Sequence, residues 1–598
     1  MRDIAAWLVE AGSLLGRDAS LHADGRLPVD DRAVNLVVAP HEFYPLGDFT
    51  NREIDDAARI STPVCTEQPG TTWFDVSRLL CRASGSVVDI NAHGARALRR
   101  HGHDAVHLRL GGVPSMDRRL ADDDRSRELL FLGGRTPRRG RLLATLAPQL
   151  WNREVDLRMF SFRQPVQDGA GGLVFGRDKY DLLADSRILL NIHRDEAHPG
   201  YFEWARMVEA MANGCCVVTE PSTGHEPLTA GVHFVEADDE LVGQVAALLD
   251  DPDRASAIGE RAAEAVLHEW PLTATLAPVL DRIESRHQPR RSLIAPRYDS
   301  ETVRAQQIPV LPAFTPHPEL RHRIYRALMA ETALQRRLER ARSLVRHGRD
   351  DHVERVTSAS YDAAAPEVTV VVTLYDYAEL VTETLDSIAA SEDVDVEIVV
   401  VDDHSNDTGR AVVRAWIDAH PDVPALLLGS DINRGLPAAR NLGFEHARAA
   451  DVMVMDADNL VYPSALRRLA DALDADPDAA FAYSALEEFG SSTGIRSAMA
   501  WHVPWLCEGN YIDAQAMIRR EAWARHGGYR VDDEVFGWED WELWLRLAAQ
   551  GEHGVHVPQM LGRYRTQEQS MIATTNLVAD HMLRYLRGLY PTLPWPSA

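Results

Sequence analysis

The sequence predicts an α/β protein assembled from several parallel-sheet domains. Three observations carry that prediction. Short apolar runs of strand length alternate with stretches of helical periodicity along most of the chain, the pattern of βαβ units. Several runs are continuous, such as Val452-Met-Val-Met455, and read as strands buried on both faces. The length, 598 residues, is too great for one core and sets a prior of three or four domains.

Composition then narrows the function. With 63 Lys and Arg against 90 Asp and Glu, the net charge is −27, which argues against broad nucleic-acid binding. The five cysteines, Cys65, Cys81, Cys215, Cys216 and Cys507, are scattered and include no Cys-x-x-Cys pair. They imply a reducing compartment, with neither a disulfide frame nor a structural zinc site. The start, Met-Arg-Asp-Ile-Ala-Ala-Trp, lacks the apolar core of a signal peptide, and no apolar stretch approaches a membrane span. A cytoplasmic protein, at most at the inner face of the membrane, is the expectation.

Taken in order, residues 2–15 carry Ile4, Leu8, Leu14 and Leu15 at helical spacing. Val34 to Pro40 reads as a buried strand, followed by His41 and Glu42. Cys65 to Gly70 reads as an acidic loop containing Glu67, before a helix over Trp73–Ser84. Val87-Val-Asp-Ile and Ala105-Val-His-Leu are further strands, with a helix between them. A new unit starts at Glu128-Leu-Leu-Phe-Leu-Gly133-Gly134. A strand running into two glycines suits a tight turn toward a phosphate-facing helix. Arg135, Arg138, Arg139 and Arg141 surround that turn, with guanidinium forks suited to phosphate oxygens. Ile188 to Ile192 is a strand that ends at His193 and Arg194. A helix bearing Glu209 ends at Gly214, a natural C-cap, and a strand follows at once.

Glu209-Ala-Met-Ala-Asn-Gly214, the strand after it, Gly224-His-Glu226-Pro, Leu248-Leu-Asp-Asp-Pro and His268-Glu-Trp270 resemble the donor domain of GT-B glycosyltransferases. The resemblance implies two Rossmann-like domains, over 1–124 (acceptor side) and 125–285 (donor side), with a sugar-nucleotide site between them. It implies that Glu209 holds the nucleotide ribose, with Gly134, Arg139, Arg194 and Glu226 lining the same site. Many members carry a second glutamate eight positions before Glu209; here that residue is Tyr201.

Residues 286–366 read as a connector. Pro289, Pro296, Pro309, Pro312, Pro316 and Pro318 punctuate it before a long helical segment. Leu320, Ile324, Leu328, Leu334, Leu338 and Val345 form an apolar stripe on that helix, and its other faces are rich in arginine. Two readings stay open for it: contact with an anionic membrane surface or lipid-linked substrate, and packing against a flanking acidic domain.

From residue 367 the strands deliver polar residues to one edge. Val368 to Val372 leads to Thr373 and Tyr375, and Val396 to Val401 leads to Asp402, Asp403 and Ser405. Gly435-Leu-Pro-Ala-Ala-Arg440-Asn441 opens a helix with proline in its first turn. Val452 to Met455 ends in Asp456-Ala-Asp458. Residues two apart in an extended segment point the same way, so both carboxylates aim at one point at the carboxyl end of a strand. Mg²⁺ or Mn²⁺ is the natural partner of such a pair, and it brings phosphates with it. On these residues alone, a solvated acidic turn is an equal alternative.

Val401-Asp-Asp403-His-Ser405, Gly435 to Gly443, Asp456-Ala-Asp458, Met517 to Tyr529 and Gly537-Trp-Glu539-Asp540-Trp are closely similar to the family 2 glycosyltransferases of GT-A fold. The resemblance covers about 367–571, and the GT-A domain is placed at 367–598. It implies that Thr373, Asp402, Asp403 and Arg440, with Tyr375, cradle the base and ribose. Asp456 and Asp458, with their metal, would hold the diphosphate beside Glu539, and an acid of the Glu539-Asp540 pair would be the base. Members often carry Tyr-Arg-x-His near the end, where this chain has Tyr564-Arg565-Thr-Gln567. Helical spacing separates the two acids. Asp540 shares a face with Leu543, Trp544 and Leu547, whereas Glu539 shares one with Glu542 and Arg546. Asp540 is therefore expected to point inward as the catalytic base, and Glu539 toward water.

The expected function is a bifunctional, nucleoside diphosphate sugar-dependent glycosyltransferase with an inverting, metal-dependent C-terminal half. It would extend a glycan, lipid-linked or protein acceptor. Two rivals are a single active GT-A enzyme with a non-catalytic GT-B-like docking module, and a sugar nucleotidyltransferase. The lack of a Gly-rich, Lys-containing loop after Val372 weighs against the second rival.

Overall fold

The computed structural model describes residues 2–22, 27, 33–46, 51–160, 173–194, 200–237, 240–286, 318–348, 352–535, 537–567 and 579–596. Five of the six connector prolines, Pro289, Pro296, Pro309, Pro312 and Pro316, lie outside these residues. The chain forms two compact units. One holds Met1–Leu132 and Leu173–Pro312, the other Gly133–Arg163 and Ala313–Ala598.

The first unit contains two larger parallel sheets and a two-stranded parallel pair, Gly200–Tyr201 with Ser222–Thr223. Asn35–Val38, Ser61–Cys65, Val87–Asp89 and Ala105–His107 pair in that order. The Ser61–Cys65 strand is one the sequence hides. Pro63 argued against it, and its five residues are all buried. Val235–Glu236, Cys216–Thr219, Ser186–Asn191 and Arg127–Gly134 form a second parallel run. The Arg2–Leu14 helix buries Ile4, Trp7 and Leu8 in a core with Leu276, Val279 and Ile283 of the Leu272–Arg286 helix.

The second unit is organised on one large mixed sheet. Its path runs Val353–Thr357, Ala425–Ser430, Val396–Asp402, Val368–Leu374, Asp451–Asp456, Ala516–Arg519, Phe481–Gly490, Gly554–Thr566 and Leu460–Val461. From Val396–Asp402 the chain passes outward to Ala425–Ser430. It then returns to the other side of Val368–Leu374 to make Asp451–Asp456. That reversal is a topological switch point, where open α/β sheets form a crevice at the carboxyl ends of their strands. All seven residues of Val368–Leu374 are buried, and they alternate between two cores. Val368, Val370 and Val372 meet Leu385, Ile388 and Val413, while Val371 meets Ala439, Phe444 and Trp544. Each such side chain contributes about 1.5–3 kcal/mol of burial free energy, so the strands that carry the crevice residues are the firmest part of the unit.

Two connector segments belong to this unit. Val353–Thr357 pairs antiparallel along its whole length with Ala425–Ser430. The Pro318–His347 helix also packs here, and among its described side chains it does so through polar residues of its C-terminal half. Glu339 and Ser343 are buried, whereas Leu334, Leu338, Leu344 and Val345 are exposed. Of the apolar stripe, Leu334, Leu338 and Val345 are thus exposed, and Leu320, Ile324 and Leu328 lie among side chains outside the described ones. Gly133–Arg163 groups with this unit as well. Trp151 stacks on Tyr462 at 6.2 Å, Ser464 donates to the Trp151 carbonyl, and Arg468 pairs with Glu154 at 2.9 Å.

Candidate functional site

Strand register brings the crevice residues together. Thr373 is opposite Asp456, and Leu374 is opposite Asp402, so the ends of three adjacent strands lie level. The Thr373 hydroxyl donates to Asp456 Oδ1 at 3.2 Å. Arg440 reaches the same oxygen from the Leu436–His446 helix, with Nη2 at 3.1 Å, and Nη1 meets Glu539 Oε1 at 3.0 Å. That helix is pressed against the central strand, because a Cβ on Gly443 would lie 2.2 Å from Val371 Cγ1. Only glycine allows this approach, and it fixes how far Arg440 reaches. Arg440 is 2 % exposed and lies over the Tyr529 ring at 5.3 Å. Asn441 holds that ring's backbone, accepting from Tyr529 N and donating to Tyr529 O, both at 2.8 Å. The sequence motifs around 440 and 527–529 are thus one structural piece.

Asp456 ends its strand, and Asp458 stands in the turn just beyond it. Burial, and then the charge of Asp456, push the Asp458 carboxyl up to about 6. Two carboxylates that resist joint ionisation fit a hard divalent cation, which removes the repulsion. Asp456 and Asp458 are the residues that would hold it. Gln567, at the position where the family often has histidine, donates from Nε2 to Asp458 Oδ2 at 2.9 Å. Its amide nitrogen is a donor and orients the carboxylate, where an imidazole would offer a lone pair.

Asp402 and Asp403 are engaged in the loop framework. Asp402 is fully buried, accepting from Arg410 Nε at 2.6 Å and Ser405 N at 3.2 Å. Asp403 accepts from Arg434 N at 2.6 Å and Gly435 N at 2.8 Å. Burial raises its carboxyl to about 6 against those two hydrogen bonds. Tyr375 is 43 % exposed, and its hydroxyl accepts from Asn406 Nδ2 at 3.0 Å.

The Glu539–Ala549 helix corrects one expectation. Glu539 does not face water. It is 3 % exposed and sealed by Arg440, and Asp540 is the less buried of the two. Helical phase was read against a bare helix, but its polar face is covered too. Glu542 there pairs with Arg530 and Arg546, and Tyr590 donates to it. Asp540 Oδ2 accepts from Asn510 Nδ2 at 3.0 Å. Burial, and then the neighbouring Glu539, raise the Asp540 carboxyl well above its ordinary value, with Arg440 pulling the other way. Asn510 lies in a loop without a motif, so the sequence offered no way to find it.

The positions predicted for the N-terminal half are divided. Gly134 and Arg139 belong to the second unit, where Arg139 is 3 % exposed and Nη1 donates to the Gly134 carbonyl at 3.1 Å. Arg194, Glu209 and Glu226 belong to the first. Arg194 and Glu226 are exposed, and the His93 ring lies tilted against Tyr201 at 5.1 Å in that unit. Glu209 is 5 % exposed and forms an ion pair with Lys179 at 2.6 Å, and Lys179 also meets Asp3 at 2.7 Å. Burial raises its carboxyl to about 7 in spite of the lysine. This differs from a glutamate presented to a ribose.

A switch-point crevice with paired aspartates, a buried arginine bridge and a perturbed acid at a helix start defines the class as glycosyltransferase-like. Sequence comparison gives the particular families. Residues 369–536 match the Glycosyl transferase family 2 model, and residues 138–281 match that of a Glycosyl transferase-like family. The chain therefore carries two modules of glycosyltransferase type. Similar curated proteins include the Succinoglycan biosynthesis protein ExoO of Rhizobium meliloti, 42 % identical over 110 residues, 18 % of this chain and 30 % of that protein. Another is the Putative glycosyltransferase EpsE of Bacillus subtilis, 25 % identical over 35 % of this chain and 75 % of that one. The chain spans about a third of the first of these relatives. Among solved structures, S. aureus TarS in complex with UDP aligns at TM-score 0.29 and 16 % identity, over 36 % of this chain and 65 % of that one. The mannosyltransferase PcManGT of Pyrobaculum calidifontis, in complex with GDP-Man and Mn²⁺, aligns at TM-score 0.30 and 23 % identity, over 45 % of this chain and 76 % of that one. No helix among the described residues is long and apolar enough to cross a membrane.

Proposed function

We propose that the C-terminal module transfers a sugar from a nucleoside diphosphate sugar to an acceptor hydroxyl, with inversion of the anomeric centre. The observation that supports this best is the level convergence of Thr373, Asp402 and Asp456, linked through Arg440 to Glu539, whose neighbour Asp540 has a raised carboxyl. Asp540 is the base. A carboxylate whose proton affinity lies nearer neutrality accepts the acceptor's proton more readily as the oxygen attacks. The donor's base and ribose lie against the edge shaped by Tyr375, Asp402 and Asp403, and Arg440 holds Asp456 and Glu539 in place. A divalent cation on Asp456 and Asp458 supplies charge neutralisation for the departing diphosphate.

The test is chemical. Purified chain with Mn²⁺, a sugar nucleotide panel and cell-extract acceptor releases nucleoside diphosphate and a glycosylated product. Asp458→Asn removes that release and weakens nucleotide binding in Mn²⁺. Full turnover of this variant under excess chelator contradicts the reading.

Two modules on one chain support successive additions to one glycan, because tethering raises the local concentration of the second site. A second reading, one active GT-A module with a non-catalytic docking module, is favoured by the Lys179–Glu209 pair and by Tyr201. Adding Glu209→Ala separates the two, since nucleotide binding that survives Asp458→Asn and is lost on Glu209→Ala belongs to the first module. The exposed Leu334, Leu338, Leu344 and Val345 among arginines further support contact with an anionic membrane or lipid-linked acceptor. Cosedimentation with phosphatidylserine vesicles falls on Leu338→Glu if this holds, and an unchanged bound fraction refutes it.

A further inference from the structure

We propose that the Pro318–His347 helix, which lies outside both matched segments, is a working part of the donor site, with Glu339 as its positioning residue. This rests on the donor-site reading given above. The helix exposes Arg337, Arg340 and Arg342, yet Glu339 is only 5 % exposed. Its Oε2 accepts from Asn433 N at 2.8 Å. The next two backbone N–H groups, of Arg434 and Gly435, donate to Asp403. Two carboxylates from distant segments therefore take three successive amides. A run of amides turned to one side is an anion cradle, and here the protein fills its own. The Asn433 side chain adds a fourth tie, donating from Nδ2 to the Asp403 carbonyl at 3.2 Å.

The loop so held leads straight into the site. Gly435, at φ +84°, is the residue from which the Leu436–His446 helix starts. Arg440 lies little more than a turn further on, gripping Asp456 and Glu539. Arg336 shares a helix face with Glu339 by the three-residue spacing. Its Nη2 lies 2.6 Å from where a Cβ on Gly435 would be, so it covers that turn directly. The end of the same helix holds the loop a second time. His347 Nε2 meets Asp431 Oδ2 at 2.6 Å, and His352 Nδ1 meets it at 3.0 Å. Asp431 to Gly435 is thus tied to the helix and its following residue at one end and to Glu339 near the other. A displacement of the helix shifts the turn that sets Asp403 and Arg440.

The experiment uses the full chain. Glu339→Ala removes the acceptor for Asn433 N–H, whereas Glu339→Gln keeps an acceptor oxygen at the same reach. Glu339→Ala raises the Kd for UDP or GDP in Mn²⁺ and the donor KM by about tenfold or more, the range expected for losing a charge-assisted hydrogen bond. The acceptor KM and the far-UV spectrum do not move, and Glu339→Gln stays within about threefold of the parent chain. Amide exchange at Asn433, Arg434 and Gly435 accelerates in Glu339→Ala alone. Unchanged exchange at these amides, or equal losses of donor and acceptor affinity in both variants, overturns the proposal. Exchange reads the loop without a ligand, so it decides the role of Glu339 even if the parent chain binds no nucleoside diphosphate. That last result would instead end the donor-site reading.

Discussion

Asp540→Asn lowers turnover by roughly two to four orders of magnitude, the usual worth of a positioned general base. It leaves nucleotide binding intact, because the substitution keeps the side chain's shape and touches neither Asp456 nor Asp458. Asp540 accepts from Asn510 Nδ2 at 3.0 Å and from Trp541 N at 2.7 Å, and the single amide carbonyl of the variant keeps one of these two hydrogen bonds. Stability moves the other way. Burial raises the carboxyl above its unfolded value, so Asp540 binds its proton more tightly in the folded chain. Its favourable contribution is complete below the unfolded value and is lost as pH rises through the folded one. Near and above neutrality the variant escapes the cost of a buried ionised carboxylate, which offsets the lost hydrogen bond, and it is almost inactive. In the parent chain the acid limb of the kcat profile lies above the ordinary carboxylate range, because the ionised form is the active one. Measured melting temperature, Kd and kcat together check this. A nearly full kcat in Asp540→Asn moves the base elsewhere. Glu539→Gln raises the donor Kd more than it lowers kcat, since Glu539 acts through Arg440.

Arg440→Met is expected to be the most damaging substitution to stability in the second unit. It removes the cation shared by Asp456 and Glu539, and leaves Glu539 buried with its charge uncompensated. Breaking a buried pair from one side costs about 3–5 kcal/mol. Arg440→Lys restores little, since an ammonium lacks the fork that meets two carboxylates at once. The double variant Arg440→Met with Glu539→Gln recovers part of the loss, because the stranded charge is gone. Denaturant melts of the three variants measure this directly. A double variant no more stable than Arg440→Met means that the pair does not carry the effect. Turnover stays lost in the double variant, because Asp456 no longer has its partner.

The crevice was legible in the sequence because its residues sit at the ends of continuous apolar strands. A strand ending is a local feature, and the sheet's register then brings Thr373, Asp402 and Asp456 level. The expectation that residues two apart aim together held only in part, since the strand stops at Asp456 and Asp458 lies in the turn beyond it. What local pattern does not contain is the cover supplied by distant chain. Glu539 looked solvated because Arg440 is 99 residues away, and nothing in the local pattern marks Glu339, because Asn433 is 94 away. Ser61–Cys65 was hidden by Pro63, and Val353–Thr357 by its charged residues, Glu354 and Arg355. The apolar stripe of the Pro318–His347 helix left two readings open for the same reason: periodicity shows which residues share a face, and only partners show which face is buried.

The antiparallel strand Val353–Thr357 has a protective consequence. Beyond it lies Ala425–Ser430, six fully buried residues with Leu426, Leu427 and Leu428 in a row. A chain beginning at residue 369, where the family match starts, would leave that strand as the rim of the sheet. Its unpaired amides and carbonyls, flanked by leucine and carrying no charge, would offer a template for another chain to join. Glu354 and Arg355 on the native rim, charged and on a strand of only five residues, make such joining unfavourable. The segment that reads as a connector thus covers a sheet edge that would otherwise be open to pairing, and the large sheet is complete at this rim only with Val353–Thr357.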